Sequence, residues 1–240
     1  MTKIQNTESK GRQLHAQALQ LREQKEFLES LKVGEEALVE YAEDNDTLGF
    51  AELLTLQAKT YLHIYDVTNY KPYLLLAKRI GQTAVDIVEE SGQNEAKALP
   101  YFNLGKISKD AGDLELAVES FRKAVQLLED FPSERHNRKS VLADFKNHLA
   151  TAEYQTGDKT ALEKAEESIK DLETSNDASD YEKHVWLSGA HMRIAKMLQD
   201  DDKEKAQGHL KKAREIIDAD PELIIRQEQW EKLNSQLNNL

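Results

Sequence analysis

Cysteine is absent from the 240 residues, which excludes a disulfide framework, thiolate metal sites and a thiol nucleophile. Proline and glycine are scarce, at 4 and 10 residues, so few helix breakers interrupt a chain dominated by Ala, Leu, Glu, Lys and Gln. Strand-forming residues are correspondingly few. No apolar run approaches the length needed to cross a bilayer, and the opening MTKIQNTESK lacks the apolar stretch of a secretory signal. These absences lead to the expectation of a soluble, cytoplasmic, all-α protein with long helices.

Positive charge is also in deficit. A net charge of −12 repels a phosphate backbone, and no block of Lys and Arg resembles a nucleic-acid arm, so nucleic acid is not an expected partner and neither is a membrane. Acidity of this kind keeps an elongated helical surface soluble. The 39% hydrophobic content is enough to bury a sizeable core.

Catalytic and cofactor motifs are missing as well. The chain has no Gly-rich phosphate loop, H-E-x-x-H, nucleophile elbow or EF-hand loop. His184 and His191 could share a helical face two turns apart, but no third ligand stands at metal spacing. The run Asp200-Asp201-Asp202 lacks the alternating oxygens and glycine turn of a calcium loop, and reads as a helix-capping turn. The expectation is therefore no enzyme, no catalytic residue, no metal and no cofactor.

What is present is an internal repeat. In LPYFNLGKISKDAGDLELAVESFRKAVQLLEDF, Gly105 and Ala117 are small, as two closely crossing helices require, and Gly112-Asp113 makes a turn. Phe121 is placed to fill the space toward a following hairpin. With Tyr101, Leu104 and Ala124, these residues fall at the spacing of the tetratricopeptide signature, and the segment resembles that family.

A triplet spaced +4, +3 recurs along the chain: Ser30/Gly34/Ala37, Ala77/Gly81/Ala84, Ala117/Phe121/Ala124, Ala165/Ile169/Leu172 and Ala206/Leu210/Ala213. Each triplet stacks on one helical face, as the second helix of a hairpin needs. First helices carry Ala18, Ala58, Gly105, Ala150 and Ala195 at the crossing point, most with a bulky neighbour about one turn on: Leu21, Tyr61, Tyr154 and Leu198. The third has Ser108 there instead. The repeats run to about 40 to 48 residues, against 34 for the family. Duplication of a two-hairpin unit and loop insertion both account for the extra length.

The resemblance implies a right-handed helical-repeat solenoid of about five antiparallel hairpins over residues 11–220. Residues 1–10 are expected to be disordered, and 221–240 to form a C-terminal capping helix carrying Ile224, Trp230, Leu233 and Leu237. Expected helix starts lie at Asn45-Asp46-Thr47, Pro72, Pro132 and Asp220-Pro221, with turns at Gly112-Asp113 and Gly157-Asp158; Pro100 requires its helix to begin nearby or kink.

In tetratricopeptide arrays the first helices line a concave groove. Carried onto this chain, the position after the crossing residue is Leu19, Lys59, Lys106, Thr151 and Lys196, and neighbouring positions supply Thr55, Phe102, Asn103, Asn147, Met192 and Arg193. The implied trough is cationic and amide-bearing, with Phe102 and Met192 as apolar anchors, and suits an acidic or carboxylate-ended peptide. Family members that grip a C-terminal carboxylate use Lys, Asn, Asn, Lys and Arg. Here those positions read Thr55, Lys59, Asn103, Asp144 and His148, which disfavours that assignment. The function implied is an adaptor or scaffold binding a partner protein or peptide; the alternative is a peptide-sensing regulator whose array changes curvature.

Overall fold

The computed structural model describes residues 9–132 and 137–238. Within them lie eleven α-helices, one 3-10 turn and no strand. The expectation for residues 1–8 falls outside this range; Ser9 caps the first helix, its hydroxyl accepting from Arg12 N–H, and Lys10 opens that helix.

The chain divides into two compact units between Gly112 and Asp113. The first comprises α1 (Lys10–Glu23), α2 (Phe27–Glu43), α3 (Thr47–Thr68), α4 (Lys71–Ser91), the 3-10 turn (Asn94–Ala96) and α5 (Ala98–Asp110). Helices α1 and α2 pack as one hairpin and α3 and α4 as another, with α5 against both α3 and α4. The second unit comprises α6 (Leu114–Asp130), α7 (Lys139–Gln155), α8 (Ala161–Thr174), α9 (Asp180–Leu198), α10 (Lys203–Ala219) and α11 (Ile224–Asn238). There α7 pairs with α8 and α9 with α10, α6 lies on α7, and α11 lies on α9 and α10.

The small-residue pattern is the stacking pattern. Every residue of the five triplets is buried, as are Ala18, Ala58, Gly105, Ala150 and Ala195. In the first unit Gly81 meets Ile107 and Leu104 of α5, so the absence of a side chain on α4 admits the next helix. In the second, Phe121 of α6 reaches His148 of α7 at 5.4 Å between ring centroids. Tyr41 of α2 is fully buried between Gly11 of α1 and Gly49 of α3. Its hydroxyl hydrogen-bonds His15 Nδ1 at 3.0 Å, and Arg12 lies over its ring.

Helix starts follow capping chemistry. Asp46 accepts from Gly49 N–H at 2.7 Å to open α3, and Asp113 accepts from Leu116 N–H to open α6. Pro72 sits in the first turn of α4, where its missing N–H costs nothing. Pro100 likewise falls in the first turn of α5, which begins at Ala98 without a kink at the proline. Gly112 and Gly157 take the left-handed conformation, with φ of 81° and 110°.

Two expected starts are displaced. The last helix begins at Ile224 rather than at Asp220-Pro221, because Asp220 turns its carboxylate to Glu222 N–H and to His184, leaving 221–223 as a turn. Pro132 is non-helical, and α7 starts at Lys139, whose N–H donates to Asp177 at 2.6 Å. A residue from the α8–α9 connection thus caps α7.

Helix α11 packs on α9 and α10 of the second unit. Leu233 is buried against Met192, Ala195, Leu210 and Ala213, with Trp230 and Leu237 packed beside it, and Trp230 Nε1–H donates to the Leu210 carbonyl at 2.8 Å. Ile224, by contrast, is exposed.

Candidate partner-binding surface

The first-helix residues of the first unit come from α1, α3 and α5. Thr55 and Asn103 are buried, Thr55 donating to the Ala51 carbonyl at 3.0 Å and Asn103 to the Leu99 carbonyl at 2.9 Å. Asn103 Oδ1 has no hydrogen-bond partner among the described residues. Phe102 is buried, and the half-buried Lys106 lies one turn on with Nζ 5.5 Å from the centre of its ring. Lys59 is half-buried on α3. Leu19 on α1 is exposed.

Lys59 and Lys106 act together on a residue the repeat signature does not single out. His63 of α3 stacks on Phe27 of α2 at 6.0 Å between ring centroids. Burial holds its pKa down to about 4, helped by the positive charges of Arg22, Lys106 and Lys59 and opposed by Glu23. Asp66 lies 3.9 Å from its Nδ1. Arg22 of α1 is itself buried and paired with Glu23, so Lys59 of α3 and Lys106 of α5 are the half-buried cations on the first helices of this unit. The signal available beforehand was spacing alone: His63 lies four residues after Lys59, hence on the same face.

In the second unit the expected groove residues are engaged within the fold. Asn147 is fully buried, its amide donating to the Ala165 carbonyl and to Ser168 Oγ at 3.1 and 2.9 Å. Arg193 Nε–H donates to Asn147 Oδ1 at 2.8 Å, and Arg193 Nη2–H donates to Asp144 Oδ1 at the same distance. Burial pulls the arginine below its ordinary range while Asp144 opposes that shift, and the guanidinium stays charged. Thr151 is buried and donates to the His148 carbonyl at 3.0 Å. Met192, at 6% exposure, belongs to the core under α11. Only Lys196 among these residues is exposed.

The pairing of Asp144 with Arg193 alters the sense of the clamp comparison: Asp144 is 7% exposed and its charge is met inside the unit. His184 and His191 do not face one another. His184 Nδ1 lies 2.9 Å from Asp220, whereas His191 Nδ1 lies 2.9 Å from His209 Nδ1. Among the described residues no group of three or more His, Asp or Glu side chains is placed to hold a metal ion. In the triple-aspartate run, Asp202 caps α10 by accepting from Lys205 N–H, and Asp201 accepts from Tyr154 Oη–H at 2.6 Å and pairs with Lys159. No described helix is long and apolar enough to cross a membrane.

No protein-family model and no curated protein matches the sequence. Solved structures do match the fold. The crystal structure of BtubC (BKLC) from P. vanneervenii aligns with a TM-score of 0.61 at 19% identity, over 87% of this chain and 80% of that one. A Podosopora anserina putative kinesin light chain with nearly identical TPR-like repeats aligns with a TM-score of 0.56 at 16% identity, over 85% of this chain and 93% of its own. A variant of the latter aligns equally well. The fold is thus an all-α helical repeat of the tetratricopeptide-like class.

Proposed function

We propose that the chain is a non-catalytic, cytoplasmic adaptor or scaffold that binds a segment of a partner protein on the first-helix face of its first unit. The observation that carries this reading is the placement of two half-buried lysines, Lys59 on α3 and Lys106 on the adjoining α5, on a protein of net charge −12. Cations on two neighbouring first helices attract an acidic segment and steer its approach. Phe102 beneath Lys106 holds the ammonium stem in place. Helical-repeat proteins present extended surfaces of this sort, and their surface residues diverge while the stacking residues persist.

Thr55 and Asn103 support the floor of this surface from within α3 and α5. Lys196 offers a separate cation on the second unit, while Asn147, Thr151, Met192 and Arg193 contribute through the packing that fixes α7 and α9. The test is affinity capture from lysate of the source cell at two ionic strengths, comparing the intact chain with Lys59→Glu/Lys106→Glu and with Lys196→Glu. A partner lost with the double variant and weakened by salt supports the reading. Equal recovery with the double variant sinks it, and turnover of a small molecule without any partner would replace it with an enzymatic one.

A further inference from the structure

The tip of the α3–α4 hairpin, on the first unit, exposes more apolar surface than its fold requires. Val67 is 73% exposed, Tyr70 60%, Leu75 58% and Leu76 42%, four large side chains within ten consecutive residues. The half-buried Tyr73 links this surface inward: its ring lies 5.8 Å from that of Tyr70, edge to face, and 6.1 Å from that of Tyr61, stacked. Single surface leucines need no explanation, but four large exposed apolar side chains at one hairpin end point to a contact surface. Tyrosine is well suited to that role, since it offers a large rigid face and a polar tip.

Two features bear on what covers it. Lys71, Lys78 and Arg79 lie on the first turns of α4, with Asp66 the acidic residue at the end of α3. From Asp66 to Arg79 the chain thus carries three basic residues and one acidic one. In addition, a two-fold contact centred on this tip would gather the basic residues of both copies into one interface, which is unfavourable.

We propose that this tip is a second docking surface, separate from the cationic first-helix face, and that it takes an acidic amphipathic segment of a different protein. The segment's apolar side chains would cover Tyr70, Leu75 and Leu76. Its carboxylates would meet the exposed Lys71 and Arg79.

The test uses the full chain as target for a displayed library of random 16-residue peptides, with enriched sequences remade and their affinities measured. The variants are Leu75→Glu/Leu76→Glu, both at exposed positions, and Lys59→Glu/Lys106→Glu, with circular dichroism confirming unchanged helicity. Enriched peptides should combine Asp or Glu with apolar residues at helical spacing. They should lose at least tenfold in affinity for the leucine variant and keep their affinity for the lysine variant. Loss with the lysine variant alone would place their binding on the first-helix face and overturn the proposal. No enrichment, or enrichment of basic peptides, would also overturn it. So would concentration-dependent dimerisation abolished by Leu75→Glu, since a second copy would then be the occupant. If peptide binding tracks the leucines while partner capture is indifferent to the lysines, the hairpin tip stands and the first-helix reading falls.

Discussion

Arg193 of α9 donates to Asp144 of α7 across 2.8 Å, and both side chains are about nine-tenths removed from solvent. The same guanidinium bonds Asn147, whose amide in turn bonds Ser168 and the Ala165 carbonyl of α8. Three helices are thereby tied through one buried polar network, in which each removed member leaves another unsatisfied.

Replacing Arg193 by Met should destabilise the second unit strongly, by about 3 kcal/mol, because Asp144 would keep a buried charge without its partner. The double variant Asp144→Leu/Arg193→Met should recover much of that loss. Urea unfolding of the single and double variants measures both. With Asp144→Leu alone completing the cycle, a double variant as destabilised as the sum of the two singles would mean that the pair is not coupled.

That network also explains which parts of the molecule were legible beforehand. The triplets and crossing residues are small, and smallness at +4, +3 spacing has one common physical use, close helix approach, so sequence alone located the hairpins. Asn147, Thr151 and Arg193 carry no such signature. A polar residue on a first helix reads as groove-lining, whereas its actual state depends on partners 18 to 46 residues away, such as Ala165 and Arg193. Met192 was ambiguous for the same reason, since only the placement of α11 makes it core. The family pattern assigns nothing to the position of His63, and only its i, i+4 relation to Lys59 marks it in the sequence.

Two glycines should respond oppositely to alanine. Gly→Ala within a helix ordinarily gains about 0.5–1 kcal/mol. Gly208 of α10 has open space around it and should show that gain. A methyl group at Gly49 would instead press on the buried Tyr41 ring and the Asp46 carboxylate that caps α3. Gly49→Ala should therefore cost about 1–3 kcal/mol, the usual range for overpacking. Thermal melts of the two variants would show midpoints shifted in opposite directions; a stabilised Gly49→Ala would refute the tight packing of Tyr41.

Truncation after Asp220 removes α11 and uncovers Met192, Leu210 and Ala213. The expected result is a lower melting temperature together with concentration-dependent self-association, because the freed apolar face belongs to the terminal hairpin. Sedimentation across a tenfold concentration range reads the second effect. A monomeric fragment as stable as the intact chain would assign α11 some role other than covering this face.

The His191–His209 contact makes the second unit sensitive to acid. Two imidazoles with Nδ1 atoms 2.9 Å apart can share only one proton in a hydrogen bond, and both are buried. Burial lowers the His191 pKa to about 3, with His209 and Lys212 adding to the effect. The His209 pKa is also lowered, by burial and by Lys212 and Lys205, against the pull of Glu166 on α8. In the unfolded chain each would titrate near 6.5. The pair's contribution is therefore complete above about pH 6.5 and falls as the unfolded state takes up protons that the fold excludes. From His191 alone the loss should reach about 2 kcal/mol by pH 5, at about 1.4 kcal/mol per unit below the unfolded value. His63 contributes a loss of the same sign from the first unit, so the histidine pair is isolated by difference. Stability of the parent and of His191→Gln, measured by urea unfolding between pH 7 and pH 5, should show a shallower pH dependence in the variant. Parallel curves would mean that His191 titrates in the folded protein as it does in the unfolded chain.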